Sequence, residues 1–257
     1  MAPQKSPDYS VKTVELILNM LEIFATDEDQ PITPASLSAK LSITRNKAYR
    51  LIATLESKGF IERDESSGAY RIGLLSIALS QKILRHSTII DHAHPIIEQL
   101  ARKHDEAVYL TVLKGEEVIF IDMVDSRQPV RTASLIGNRF PLFTNAAGKL
   151  LKALETGDVE DLFKQRGRNA KKTDFSSLIA ELSEIRIKGV AVDHGGLGEG
   201  VISVAVAIRD YAGKVIGALT LLGPSFRLLS DRLEHEVIPS LFESAESLSA
   251  RFGYVHA

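Results

Sequence analysis

Thr33-Pro-Ala-Ser-Leu-Ser-Ala-Lys-Leu-Ser-Ile-Thr44, followed at once by Arg45-Asn-Lys-Ala-Tyr-Arg-Leu-Ile-Ala-Thr-Leu-Glu-Ser-Lys-Gly59, decides how this chain is read. Thr33 can accept a hydrogen bond from an early helical N–H, and a proline at the first helical position has no N–H to lose. Together they start a helix that runs through Leu37 and Ala39 to about Leu41. After the short Ser42-Ile43 turn, Thr44 offers a second cap. Ala48, Leu51, Ile52 and Leu55 then fall at i, i+3, i+4 and i+7, which is one buried stripe of a second helix. Arg45, Asn46, Lys47, Tyr49 and Arg50 lie off that stripe, and Gly59 supplies the left-handed residue that stops the helix.

Upstream, residues 10–25 put Val14, Leu16, Ile17, Leu18, Leu21, Ile23 and Phe24 on a broad apolar helical face. Downstream, 60–63 and 69–72 read as two short strands joined by Glu65-Ser-Ser-Gly68. Helix, capped helix, turn, capped helix and hairpin is the order of a winged helix-turn-helix, whose last helix enters the major groove while the wing reaches backbone. Arg and Lys donate to guanine edges or phosphates and Asn pairs with adenine. Arg45, Asn46, Lys47 and Tyr49 are therefore assigned to the groove beside the Thr44 cap, and Arg50 to groove or structure. Lys40, Arg63 and Arg71 are assigned to phosphates. A solvated cationic helix face is the plain alternative, and the ordered arrival of caps, turn and wing argues against it.

Charge agrees only locally. The net charge is −2, yet between Lys40 and Lys58 there are five basic residues and one acid, Glu56. The chain has 257 residues, 44% hydrophobic and 25% charged, enough for a small domain and a larger one. Zero cysteines exclude disulfides, thiolate zinc sites and cysteine nucleophiles, and suit a reducing cytoplasm. The N-terminus lacks the apolar core of a signal peptide. The longest uncharged runs fall far short of the roughly 20 residues that cross a bilayer. A cytoplasmic protein, nucleoid-associated when on DNA, is expected, with no membrane partner.

Leu74, Leu75, Ile77, Ala78, Leu79, Ile83 and Leu84 follow the wing as a helix with a wide apolar face. A small DNA-binding domain has too little surface to cover them, so a linker that also dimerises is expected; a plain core helix is the alternative. A helix over 89–104 contains Pro95, which is expected to kink it or set its start. His92 and His94, two apart, face different ways, so no metal pair is expected. Strands are expected over 108–113, 118–124, 190–192, 202–209 and 214–222, and helices over 145–154, 159–165, 176–188 and 230–252, the last started by Ser230-Asp231.

Val14-Glu-Leu-Ile-Leu, Leu37-Ser-Ala-Lys-Leu41, Arg45 to Leu55 and Tyr70-Arg-Ile-Gly73 resemble the IclR family of regulators. So do Gly115-Glu-Glu-Val-Ile-Phe-Ile-Asp122, Val130-Arg131, Gly137-Asn-Arg-Phe-Pro-Leu-Phe-Thr-Asn-Ala-Ala-Gly-Lys149, Ile185-Arg-Ile-Lys-Gly189, Gly200-Val-Ile-Ser-Val-Ala205 and Ala218-Leu-Thr-Leu-Leu-Gly-Pro224. The run from Gly137 to Lys149 is the most specific, and the resemblance covers nearly the whole chain. It implies an α+β protein: a winged helix-turn-helix (1–73), a linker helix (74–88) and a GAF-like α/β effector-binding domain (89–257). It implies dimers or dimers of dimers on a pseudo-palindromic double-stranded operator, and a small-molecule effector that controls operator affinity. Repression is the implied direction, ligand-dependent activation the alternative.

The resemblance carries effector contacts over to Thr144, Asn145, Ala146, Ala147, Asp193, Ser203, Thr220 and Leu222. Relatives often have Cys at the Ser203 position, and Ser at the Thr220 and Leu222 positions. Leu222 removes a hydroxyl donor, so the pocket reads as more apolar than one for very small oxoacids, and an organic or aromatic acid is expected. Plain packing is the alternative for Leu222. Two motifs mislead. Gly148-Lys149 lacks the earlier Gly and the following Ser or Thr of a phosphate loop. Gly195-Gly-Leu-Gly-Glu-Gly200 is not followed by a helix and reads as a flexible loop, with a pocket lid as its functional version. No nucleophile elbow, His-x-x-x-His pair or matched carboxylates appear, so neither an enzyme nor a cofactor or metal is expected. A purely architectural DNA binder is the other rival, and a large α/β domain argues against it.

Overall fold

Two helix caps, the first of them reciprocal, organise the first of the two units into which the chain divides, Met1–His86 and Ser87–Ala257. The computed structural model describes residues 10–26, 31–85, 88–155 and 172–255. The first unit carries α1 (Lys12–Thr26), α2 (Pro34–Lys40), α3 (Arg45–Ser57), β1 (Ile61–Arg63), β2 (Tyr70–Ile72) and α4 (Leu74–Arg85). Thr33 Oγ1 accepts from Ser36 N at 3.2 Å, and Thr33 N donates to Ser36 Oγ at 2.9 Å. Such a cap stabilises a helix by about 1 kcal/mol. Thr44 Oγ1 accepts from Lys47 N at 3.3 Å, and Ser42 takes a positive φ in the turn between the caps.

Met20, Leu37, Ile52 and Ile61 close the core of this unit. The single broad face expected for α1 splits in two. Met20 and Phe24 are buried, whereas Val14 and Leu18 lie on the surface, because one helix cannot turn apolar residues on all sides into one small core. β1 and β2 pair antiparallel, and Ile32 adds a one-residue bridge to Tyr70 that the sequence pattern did not announce. Where the wing turns into α4, a Cβ on Gly73 would lie 2.5 Å from the Gly59 carbonyl oxygen, so only glycine fits.

In the second unit β3 (Ala107–Lys114), β4 (Glu117–Val124), β5 (Arg139–Pro141), β6 (Val190–His194), β7 (Val201–Arg209) and β8 (Val215–Pro224) form one antiparallel sheet in the order β5-β4-β3-β8-β7-β6. One face packs Val108, Leu110, Val204, Val206, Leu219 and Leu221 against α5 (Thr88–His104) and α9 (Ile238–Arg251). The other presents Ala107, Tyr109, Ala205, Ala218 and Leu222 to α6 (Ala146–Leu154) and α7 (Lys172–Lys188). The helix expected over 159–165 lies outside the described residues.

Two expectations are corrected. α5 begins at Thr88, so Pro95 sits inside it and does not set its start. The expected final helix is interrupted: α8 (Ser230–Arg232) opens into a π-helical turn, Leu233–Val237, before α9. Pro239 at the start of α9 cannot donate to a carbonyl four residues back, and the turn ahead of it widens. α8 does open at Ser230 with Asp231 in its first turn, and Leu229 takes the N-cap position without a side-chain bond. The glycine-rich segment is a loop, as expected, crossed by bonds from Gly195 N to Val201 O and from Gly198 N to Gly195 O.

At one end of the sheet Glu106 is buried and accepts from Arg227 Nε at 2.6 Å and Arg227 Nη2 at 2.7 Å. Arg232 approaches at 3.4 Å and also donates to the His104 carbonyl. The His104 ring is buried with Nε2 unpartnered among the described residues, and burial, then Lys103 and Arg232, hold its pKa below the ordinary 6.5. The unfolded chain therefore binds a proton that the folded chain refuses as pH falls below about 6.5, and stability is lost in that direction. Thermal melts between pH 7.5 and 5.5 should show a downward shift in wild type that His104→Gln reduces. Equal slopes in both proteins would refute this.

Candidate DNA-reading face and effector pocket

The α3 residues Arg45, Asn46, Lys47, Tyr49 and Arg50 are all exposed, opposite the buried Ala48, Leu51, Ile52 and Leu55. Tyr49 is 61% exposed, an aromatic ring left in water by the fold. Thr44 holds the first turn, and Lys40 ends α2 on the surface. Arg63 and Arg71 sit on the wing strands, where Arg71 Nε pairs with Glu62 at 2.8 Å. The wing tip is built by Asp64, whose Oδ1 accepts from Ser66 N at 3.0 Å and Ser67 N at 2.8 Å and from both serine hydroxyls. Those bonds, the Ser66 hydroxyl first, hold the Asp64 carboxyl well below the usual carboxylate range.

In the second unit the sheet brings the other expected residues together. Asp193 pairs with Ser203 across β6 and β7, and Ser203 pairs with Leu222 across β7 and β8. Ala146 N, the first N–H of α6, donates to Ser203 Oγ at 3.2 Å, which leaves the serine's own proton free to be donated. Asn145 caps α6 through Oδ1, accepting from Gly148 N at 2.9 Å. Ala147 is fully buried in the first turn. Thr144 donates to the Pro141 carbonyl at 2.8 Å. Thr220 lies one step along β8, 3.0 Å from the Thr111 hydroxyl.

Two close approaches fix this arrangement. A Cβ on Gly148 would lie 2.0 Å from Leu142 O, and one on Gly196 would lie 2.0 Å from Thr144 O. The glycine-rich turn is thereby pressed against the loop that leads into α6.

Lys149, Glu181, Gly196, Thr111 and Tyr109 were not assigned from sequence. Lys149 Nζ lies 2.6 Å from Asp193 Oδ2 and 2.9 Å from Glu181 Oε1. Burial pushes its ammonium down, but the bonds to Asp193 and Glu181 outweigh this and the net displacement is upward. Asp193 Oδ1 accepts from Gly196 N at 2.9 Å, so both of its oxygens are engaged within the protein. The Gly148-Lys149 pair that imitates a phosphate loop thus combines a packing glycine with a buried ion pair. A readable signal did exist on β7, where Ser203, Ala205 and Ala207 alternate with Val204, Val206 and Ile208: small residues toward the site, large ones toward α9.

A helix start opening on a hydroxyl, on the small-residue face of a sheet, is suited to a carboxylate. Comparison with known proteins decides what kind of protein carries it. The model of the bacterial transcriptional regulator IclR C-terminal domain matches residues 81–250, and that of the IclR helix-turn-helix domain matches 13–65. The chain belongs to the IclR family. It is a DNA-binding transcriptional regulator, as are its relatives. The HTH-type transcriptional regulator KdgR of Escherichia coli K12 is 28% identical over 255 residues, covering 97% of this chain and 95% of that protein. An IclR-type regulator from Alicyclobacillus acidocaldarius has the same fold, with a TM-score of 0.84 at 25% identity, covering 96% of this chain and all of that one (100%). An IclR homologue from Microbacterium hydrocarbonoxydans, crystallised with 4-hydroxybenzoate, shares the fold with a TM-score of 0.77 at 21% identity, covering 93% of this chain and 98% of that one.

Proposed function

We propose that this IclR-family chain is a cytoplasmic repressor whose hold on its operator is released by an organic, preferably aromatic, acid. The Ala146 N–Ser203 Oγ contact carries the reading, because it sets a helix start and a free hydroxyl proton on a face otherwise built of alanine and leucine. A carboxylate would take the Ser203 proton and the α6 start, and its body would lie over Ala205, Ala218 and Leu222. Thr144, Asn145, Ala147 and Thr220 shape the site, and Asp193 acts through Lys149 and Gly196. Arg45, Asn46, Lys47 and Tyr49 read bases, Arg50 serves groove or structure, and Lys40, Arg63 and Arg71 hold backbone.

The regulator acts as a homodimer, or a pair of dimers, on a pseudo-palindromic site. Support comes from two apolar stripes left bare in the first unit: Val11, Val14 and Leu18 at α1, and Leu74, Ile77 and Ile83 on α4, the last three 76%, 53% and 61% exposed. We assign residues 74–88 as the linker. Half-sites then lie one helical turn, or a multiple of it, apart.

Gel shifts on a DNA site selected from a random pool, with benzoate, pyruvate and glyoxylate added in turn, test the reading. Release by benzoate and little by glyoxylate is expected. Release by glyoxylate alone would remove the aromatic preference, and tighter binding with any acid would overturn release as the direction of control, leaving ligand-dependent activation as the alternative to test by transcription.

A further inference from the structure

We propose that the effector carries a second hydrogen-bonding group, remote from its carboxylate, that meets the buried hydroxyls of Tyr109 and Thr132. The inference rests on reading the Ser203 face as the effector pocket. Tyr109 has 0% exposure, and neither its hydroxyl nor Thr132 Oγ1 has a hydrogen-bond partner among the described residues. The phenol lies near the Leu135 backbone and the Thr132 side chain, which act on it, but at hydrogen-bonding geometry to neither. Buried hydroxyls are nearly always paired, so two left open side by side point to a partner that arrives from outside the chain.

The sheet register places this pair on the effector face. Tyr109 stands opposite Thr220 and Thr220 opposite Ala205, while Ala107, Leu222 and Ser203 form the adjacent row. Tyr109 and Ser203 are therefore two strand spacings and two residues' rise apart, about 12 Å between Cα atoms by ordinary strand geometry. A two- or three-carbon oxoacid held at Ser203 cannot span that separation; a ring with a polar substituent spans much more of it. The intervening surface suits a ring. Ala205 and Ala218 present only small side chains there, and Phe120 stands edge-on to Tyr109, centroids 5.2 Å apart at 85°, with Phe140 edge-on to Phe120 at 5.4 Å.

Binding of benzoate and of ortho-, meta- and para-hydroxybenzoate to the full chain tests this, with melting temperature as a second readout. At least one hydroxybenzoate is expected to bind wild type about 10-fold tighter than benzoate. Tyr109→Phe should erase that preference while leaving benzoate affinity within about two-fold, and Thr132→Val should reduce it. Without ligand, Tyr109→Phe should raise the melting temperature by about 2–4 °C, because an unpaired buried group is removed. Equal binding of all four acids by wild type, a preference that survives in Tyr109→Phe, or a lower melting temperature for unliganded Tyr109→Phe would overturn the proposal. Failure of the underlying pocket reading has its own signature: no acid binds, or Ser203→Ala leaves every acid's affinity unchanged, and the proposal falls with it.

Discussion

Replacing Arg45 and Lys47 together with alanine is expected to weaken operator binding by about 30- to 500-fold at fixed salt. Both side chains are exposed on α3 beyond the Thr44 cap, and no buried neighbour depends on them. Each contributes either a bidentate base contact, worth about 1–3 kcal/mol, or a phosphate contact. The two fates are separable. Loss of a phosphate contact lowers the salt slope by about one unit and weakens all sequences alike, whereas loss of a base contact relaxes preference at one position. The melting temperature should stay within a degree or so of wild type, because exposed substitutions of this kind move stability by about 0.5 kcal/mol or less. Acid binding, a property of the second unit, should be unchanged. An operator affinity equal to wild type would remove α3 from the DNA interface.

Glu106→Ala is expected to destabilise the second unit strongly, costing about 3 kcal/mol. The carboxylate is 1% exposed and receives two bonds from Arg227 and the approach of Arg232; without it two guanidinium groups lose their shared counter-charge. The arginines are 17% and 26% exposed, so water recovers part of the loss and the cost sits low in the range for a broken buried pair. Arg227 Nη1 also donates to Val130 O at 2.8 Å, so the loop from Asp125 to Arg131 loses an anchor as well. A fall in melting temperature of about 6–12 °C is expected. Glu106→Gln, which keeps the shape but not the charge, should fall between. A melting temperature unaltered by Glu106→Ala would show that the cluster contributes nothing net to stability.

The DNA-reading half was legible in the sequence because its signals are local. Thr33 and Thr44 cap helices within three residues of themselves, and Gly59 and Gly68 mark turns where they stand. The effector half was legible less completely. Its strands show in the alternation, but Asp193, Ser203 and Ala146 meet only through strand pairing and the packing of α6. The ion pairs of Lys149 and Glu106 join residues far apart in the chain, so nothing near either residue announces its partner. Tyr109 looked like an ordinary strand aromatic, and only burial without a partner sets it apart. Pro239 was visible, yet its effect, a π-helical turn within the final helix, depends on the backbone bonds it cannot make.

Effector control is thermodynamic linkage, and linkage is reciprocal. The most direct measurement is the affinity of the chain for an aromatic acid, with and without saturating operator, set beside its affinity for operator with and without saturating acid. If the acid bound at Ser203 releases DNA, operator should weaken acid binding by the same factor by which acid weakens operator binding, about 5- to 150-fold for ordinary coupling. Acid binding that ignores the operator would show that the pocket does not govern the DNA-reading helix.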